Sequence, residues 1–295
     1  MESKNQALLY FHYQPVNIAP QVFIALFCFI ALAFIYRIHH NKSGKWLYII
    51  PGTALAEAIG YGFRTACMYD TTLLKYVMMN LFLLLPPNAL ALINYKALGK
   101  VIEIQMEQKT KASSNIGLTD NNNNTSEPFW LRPKIVTWFF FSSDVFSFLV
   151  QGNGGGLLAI DGMQNIGMII ALFGLAIQLV FFGCFTMIAI YVHRQPRFDY
   201  QLVNKNHAKK KVMLCLFITI ALLYIRSIYR VAEFAMGYDG PIATAEWAFY
   251  TFDTTVITMC FITYFILFIG DYFPNGNHIG LVSDSIVNEM SDMYK

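Results

Sequence analysis

Residues 166–192 read IGMIIALFGLAIQLVFFGCFTMIAIYV and contain no Asp, Glu, Lys or Arg. About twenty predominantly apolar residues form a helix long enough to cross the hydrocarbon core of a bilayer, which is about 30 Å thick. In water, a helix of this composition would expose apolar side chains on every face. The stretch therefore predicts a membrane-spanning helix.

Six other stretches share this apolar character. The predicted spans are 18–38, 46–68, 74–98, 135–150, 166–192, 212–233 and 244–270. Of the 295 residues, 56% are hydrophobic and only 13% are charged, whereas soluble domains carry about 25% charged residues. We therefore expect an all-α, polytopic membrane protein with seven transmembrane helices. The fourth span is the shortest, and we expect it to continue into Gln151 and the glycines behind it. We expect Gly152, Gly154, Gly155 and Gly156 to form a flexible outer turn that caps this helix.

The positively charged residues of the loops are concentrated in alternate loops, and among the loops that face the other way only the second carries one, Lys75. The loops after the first, third and fifth spans contain Arg37, Lys42 and Lys45; Lys96, Lys100, Lys109, Lys111, Arg132 and Lys134; and Arg194, Arg197, Lys205, Lys209, Lys210 and Lys211. By the positive-inside rule these loops lie in the cytosol, which places the N-terminus outside and the C-terminus in the cytosol. The expected division is an extracellular tail at 1–17, a seven-helix transmembrane domain at 18–273 with a disordered cytosolic insert at about 108–128, and an acidic cytosolic tail at 274–295.

Ionisable residues occur within or at the ends of the predicted spans. A charged residue at the centre of a membrane helix raises the free energy of insertion by roughly 2.5–3.5 kcal/mol. Glu57, Tyr61 and Arg64 illustrate their spacing, because i, i+4 and i+7 share one helical face. The candidate substrate-binding residues on such faces are Glu57, Tyr61, Arg64, Asp144, Gln151, Gln178, Arg226, Arg230, Glu233, Glu246, Tyr250 and Asp253.

These faces predict a polar cavity that is open toward the outer leaflet and floored by carboxylates near mid-membrane. Five acids against three arginines make it acidic, which favours an amphipathic cation. The alternative is a set of structural ion pairs, in which Arg226 or Arg230 pairs with Asp253 or Glu57 and ties three helices together.

In the third span, Pro86 is followed by a second proline, and this pair should kink the helix and free backbone carbonyls near mid-membrane.

Several chemistries lack the residues that they need. No GxxxxGK[ST] motif is present, so we expect no ATPase in the chain itself. All six histidines fall in tails or loops, and the five cysteines show no metal spacing; we therefore expect no metal site, no cofactor, no catalytic residues and no enzyme activity. A lipid-modifying enzyme stays as a third hypothesis, because carboxylates alone can support proton transfer. Outside the spans the basic residues are confined to a few loops, and they indicate no nucleic-acid partner.

The motifs EAIGYGFR at 57–64 and RSIYRVAE at 226–233 resemble those of the fungal lipid-translocating exporters, the RTA-like seven-helix membrane proteins. The resemblance runs from about residue 13 to 273. Further positions that fit the family pattern are Tyr13, Pro15, Tyr95, Gly99, Lys100, Asp144, Ser147, Gln151, Gln178, Gly237, Gly240, Glu246, Tyr250 and Asp253. The resemblance implies a multi-pass protein of the plasma membrane. Members of the family are linked to the movement of amphipathic lipids and to resistance to related toxic compounds.

The leading hypothesis is translocation or export of amphipathic lipids or lipid-like toxic compounds, such as sphingoid bases or amine-bearing sterols. The main alternative is a seven-helix sensor that binds an amphiphile, including heme or a porphyrin, and signals through the cytosolic loops. The expected partners are a lipid or amphipathic small molecule and the bilayer. Gly52, Gly60 and Gly174 are suited to helix contacts within the bundle or between copies of the chain in a homo-oligomer.

The predicted orientation can be tested through the glycosylation sequons at Asn41, Asn123 and Asn124. All three lie in loops predicted to be cytosolic, so they should carry no glycan. We expect endoglycosidase treatment of the protein from a eukaryotic host to leave its electrophoretic mobility unchanged. A mobility shift that disappears in an Asn41→Gln variant would contradict the predicted orientation.

Overall fold

The computed structural model describes residues 18–70, 72–115, 132–158, 160, 162–195, 208–237, 240, 242 and 244–273. Within them the regular structure is entirely helical and includes seven long helices. The helices are α1 (Ala19–His40), α2 (Ile49–Tyr69), α3 (Leu73–Asn115), α4 (Pro133–Leu158), α5 (Gln164–Arg194), α6 (Ala208–Ala235) and α7, which consists of Glu246–Phe249, a π-helical turn at Tyr250–Thr254, and Thr255–Ile266.

Six of these helices are long and apolar enough to cross a membrane. The exception is α2, which has 21 residues but carries Glu57 and Arg64 in its sequence. The all-α, polytopic class is therefore confirmed. The seventh crossing and the placement of the termini stay predictions.

Two boundaries differ from those predicted. Helix α3 continues to Asn115, so residues 108–115 of the segment predicted as a disordered insert are helical. Residues 116–128 of that insert, and both predicted tails at 1–17 and 274–295, lie outside the described residues. Helix α4 extends through Gln151 and into the glycines behind it, as predicted, but these glycines are part of a regular helix that continues to Leu158 and do not form the expected flexible turn.

Contacts between α4 and α5 explain why those glycines are helical. Gly154 is buried, and a Cβ atom added to it would lie 2.6 Å from the backbone nitrogen of Ala171 and 2.7 Å from the carbonyl oxygen of Gly167. A second close contact involves Gly174 of α5, where an added Cβ atom would lie 3.0 Å from the carbonyl oxygen of Ser147 on α4. Small residues let two membrane helices approach until their backbones touch, so the glycines serve packing rather than a turn.

The basic end of the bundle is held by contacts between helix termini. The Arg37 guanidinium lies 4.6 Å from the ring centroid of Phe268 and forms an ion pair with Asp271 at 3.6 Å. Lys211 at the start of α6 lies 5.5 Å from the ring centroid of Tyr272. The end of α1, the start of α6 and the residues that follow α7 therefore meet at one end, where α1 and α6 bring basic side chains and the residues after α7 bring aromatic rings and Asp271.

We expect Gly154→Ala to destabilise the protein by about 1–3 kcal/mol, the usual range for overpacking. Gly155→Ala is the matched control, because a Cβ atom there would meet nothing within 4 Å and Ala is the better helix former. Thermal unfolding of the two purified variants in the same detergent measures the difference. Equal midpoints would show that the α4–α5 contact is not as close as described.

Candidate functional site

Asp253 lies at the centre of a buried ion-pair network. Its Oδ1 is 2.5 Å from Arg226 Nε, and its Oδ2 accepts a hydrogen bond of 2.6 Å from Arg230 Nη2. Arg230 also donates to Glu233 Oε2 at 3.0 Å. Asp253 and both arginines are at most 8% exposed. The network joins α6 to α7, as the structural ion-pair alternative predicted for these residues.

Helix α3 joins this network through its prolines. Pro87 has no backbone N–H, so the carbonyl of Leu83, four residues earlier, has no helical hydrogen-bond donor. Arg226 Nη2 donates to that carbonyl oxygen at 3.0 Å. The expectation that the proline pair frees a backbone carbonyl is confirmed, and an arginine from α6 uses it.

The π-helical turn of α7 positions the acidic centre. Asp253 and Thr254 both lie in the turn Tyr250–Thr254 and are buried. Asp253 pairs with α6, while the Thr254 hydroxyl forms a short hydrogen bond with the Tyr61 hydroxyl of α2. Single π-helical turns are rare and often occur at functional sites. This turn brings α2, α6 and α7 together.

The ring of Phe249 lies between the Asp253 network and a further ion pair. Arg64 Nη2 is 3.3 Å from Glu246 Oε1. The guanidinium carbons of Arg64 and Arg230 lie 4.7 Å and 5.7 Å from the ring centroid of Phe249, so one ring contacts both cations. Tyr250 stacks on Phe23 of α1 with a centroid distance of 5.2 Å.

Glu57 is the exception in this charged region. It is 3% exposed, and it makes no hydrogen bond and no ion pair with any residue that the structure describes. Asp253, Arg226 and Arg230 are close enough to act on it electrostatically. The predicted alternative of a Glu57–arginine ion pair therefore does not occur here, because Asp253 engages both arginines.

A chain of side-chain amides crosses the other half of the bundle. Gln151 Nε2 donates to Gln178 Oε1 at 2.8 Å, and Gln178 Nε2 donates to Asn88 Oδ1 at 2.7 Å. The chain links α4, α5 and α3. The structure thus brings the two predicted glutamines together and adds Asn88, which was not predicted.

Asp144 is separate from the ion pairs. Its Oδ2 accepts a hydrogen bond of 2.6 Å from the Tyr95 hydroxyl, while its Oδ1 has no hydrogen-bond partner among the described residues. Tyr95 and Asn88 are seven residues apart on α3 and share a face. That spacing could have identified both residues, but the central part of α3 carries no charge to draw attention to it.

A cavity of about 380 Å³ lies between α2, α3 and α4. Of the predicted site residues, only Asp144 lines it. The cavity extends from Asp144 and Asn88, near the helix centres, to Ile49 and Phe141, toward the basic end. This location differs from the expected opening toward the outer leaflet, where Arg64 and Glu246 instead form a pair. No group of three or more metal-binding side chains occurs in the described part of the chain.

Apolar helices around buried charges define a multi-pass helical membrane protein with a polar interior, the class that includes transporters and receptors. A family model described as "RTA1 like protein" matches residues 122–276, more than half of the chain. The chain belongs to this RTA1-like family.

Three relatives from Saccharomyces cerevisiae show the range of named functions. Protein RTA1 is 27% identical over 77% of this chain and 67% of its own length. Protoporphyrin uptake protein 1 is 24% identical over 93% of this chain and 96% of its own length. Sphingoid long-chain base transporter RSB1 is 27% identical over 44% of each chain. No solved structure is significantly similar to this chain.

We expect Asp253→Asn to lower the free energy of unfolding by about 3–5 kcal/mol, because two buried arginines lose their counter-charge. Asp70→Asn is the control: it removes an exposed carboxylate that pairs with Lys75 at 2.8 Å, and it should cost less than about 1 kcal/mol. Thermal unfolding of both variants in detergent checks this expectation. An Asp253→Asn variant as stable as Asp70→Asn would mean that the network does not support the fold.

Proposed function

We propose that this chain translocates amphipathic lipids or lipid-like toxic compounds across a membrane, with the headgroup passing between the helices and the hydrocarbon chain staying in lipid. The name of one relative, a sphingoid long-chain base transporter, supports this class of activity. The substrates that we favour are amine-bearing: sphingoid bases and amine-bearing sterols. The activity is transport rather than enzymatic conversion, and it uses no ATPase of the chain's own.

Buried Glu57 is the observation that carries the proposal. A largely buried carboxyl group is costly unless it is paired and hydrogen-bonded, and Glu57, which is 3% exposed, has neither kind of partner among the described residues. A purely structural role for its charge would require such a partner. An ionisable residue inside a membrane is by default a functional-site hypothesis.

The neighbouring network suggests how Glu57 serves transport. Arg226 and Arg230 are held by Asp253 and, for Arg226, by the Leu83 carbonyl. A cationic headgroup beside Glu57 would therefore meet a carboxyl group that forms no ion pair with any described arginine. Because the π-helical turn carries Asp253, a small change of that turn would redistribute the two arginines between Asp253 and Glu57.

The proposed setting is the plasma membrane. We propose that α2 is the seventh crossing, since its 21 residues suffice in length and its two charged residues face the interior, at 3% exposure each. The basic end then faces the cytosol, with the N-terminus outside and the C-terminus inside.

A sensor that binds an amphiphile is the second candidate. It is favoured because the charged side chains of the ion pairs hold one another and do not border the described cavity, whose one charged lining residue is Asp144. A sensor needs a binding cavity and a helix that can shift, but no path through the bundle.

Flux through reconstituted protein tests the proposal. We expect liposomes that contain the purified protein to exchange a fluorescent sphingoid base between leaflets faster than protein-free liposomes. Glu57→Gln should slow exchange about tenfold, the change that ~1.4 kcal/mol makes in a rate. Its unfolding midpoint should not fall, because the carboxyl group has no structural partner to lose. Asp70→Asn, which changes an exposed carboxylate, should leave exchange unchanged.

The outcomes separate the candidates. Exchange that is unaffected by Glu57→Gln would remove Glu57 from the path. An absence of exchange in the wild type, with saturable binding of the same probe, would favour the sensor. Chemical alteration of the probe would point to an enzyme.

A further inference from the structure

The cavity between α2, α3 and α4 has walls of two kinds. Most of the lining is apolar and includes Ile49, Leu85, Leu92, Phe141, Val145 and Phe148. The polar contribution comes from Thr53, Asn88 and Asp144. Leu85 and Val145 are 39% and 38% exposed on the outer surface of the bundle, so the cavity opens sideways, where lipid would surround the protein.

The unsatisfied buried atom in this lining is a carboxylate oxygen. Asp144 is 1% exposed, and its Oδ1 has no hydrogen-bond partner among the described residues. The Thr53 hydroxyl donates its proton to the Ile49 carbonyl at 2.7 Å, and Asn88 Nδ2 donates one of its two protons to the Leu84 carbonyl at 3.3 Å. A ligand that supplies a donor would satisfy Asp144 Oδ1, since a buried acceptor without a donor is costly.

Charge narrows the ligand class further. Asp144 forms no ion pair with any described cation, and its single hydrogen bond comes from the neutral Tyr95 hydroxyl. An ammonium group would supply both donors and a counter-charge, whereas a phosphate would bring only acceptors and like charge. A cavity of about 380 Å³ is within the usual range for small-molecule sites.

We propose that this cavity is a binding site for a single-chain amphiphile with an amine headgroup, whose ammonium contacts Asp144 and whose hydrocarbon chain lies against the apolar wall and leaves through the lateral opening. The site deepens the proposed function and rests on it for the choice of a mobile lipid ligand. It is distinct from the ion-pair network of α6 and α7, because none of the network residues lines it.

Gly52 makes the site testable. It lines the cavity, and a Cβ atom added to it would meet nothing within 4 Å. Gly52→Leu should therefore occupy the cavity without forcing the helices apart. Gly62→Leu is the matched control, because Gly62 lies on the same helix, also has open space around its Cβ position, and is not part of the lining.

The experiment measures binding of a photoreactive sphingoid base and of its N-acetyl derivative to the full-length protein in nanodiscs. We expect Gly52→Leu to weaken binding of both probes by about tenfold or more, since it removes the space for the chain. Asp144→Asn keeps an acceptor for Tyr95 but removes the charge, and it should weaken binding of the amine by about tenfold while changing that of the N-acetyl form little. Gly62→Leu should bind both probes like the wild type.

Crosslinked residues, mapped by mass spectrometry, should fall on α2, α3 and α4. Unchanged affinity in both Gly52→Leu and Asp144→Asn, or crosslinks confined to α6 and α7, would overturn the site. If the wild type exchanges lipid between leaflets while both variants bind normally, the site is wrong and the translocator stands. If the wild type binds the probe at this cavity but exchanges no lipid, the site is supported and the translocator is wrong.

Discussion

Asp253 forms ion pairs with two arginines in the buried interior of the bundle. The arrangement of the charged helices follows from the need to pair these buried charges. A buried arginine needs a counter-charge and enough acceptors for its donors. Arg226 pairs with Asp253 and donates to the carbonyl that Pro87 releases on α3, and Arg230 donates to Asp253 and Glu233, while Arg230 Nε has no hydrogen-bond partner among the described residues. Three helices are thereby fixed around one carboxylate. The π-helical turn places that carboxylate next to Thr254, whose bond to Tyr61 adds a fourth helix.

Much of the bundle could be predicted because membrane helices obey few rules. Length and apolar composition located each long helix, and the freed carbonyl at Leu83 follows directly from a proline four residues later. Pairing of Arg226 or Arg230 with Asp253 followed from opposite charges on helical faces. The fourth span was correctly expected to continue into the glycines after Gln151, but the flexible turn expected there was wrong. Glycine is common just after the end of a helix, whereas between membrane helices it allows close approach.

The site was harder to predict, because spacing along one helix does not show which neighbour a side chain meets. The stripes on α2 and α7 placed Arg64 and Glu246 among the candidate site residues but did not predict that the two would pair. They also could not show that Asp253 would engage both Arg226 and Arg230 and leave Glu57 without a partner among the described residues. The cavity depends on Gly52, Asn88 and other residues that carry no charge. Its position toward the basic end arises from how α2, α3 and α4 pack, which periodicity alone does not encode.

The lateral opening at Leu85 and Val145 has a pharmacological consequence. A compound that reaches the cavity through lipid first partitions into the bilayer. The occupancy of the cavity therefore depends on the mole fraction of the compound in the membrane rather than on its concentration in water. Two compounds with the same intrinsic fit would differ in apparent potency according to their lipid solubility. The potency of either compound would also fall as the amount of membrane in the sample increases.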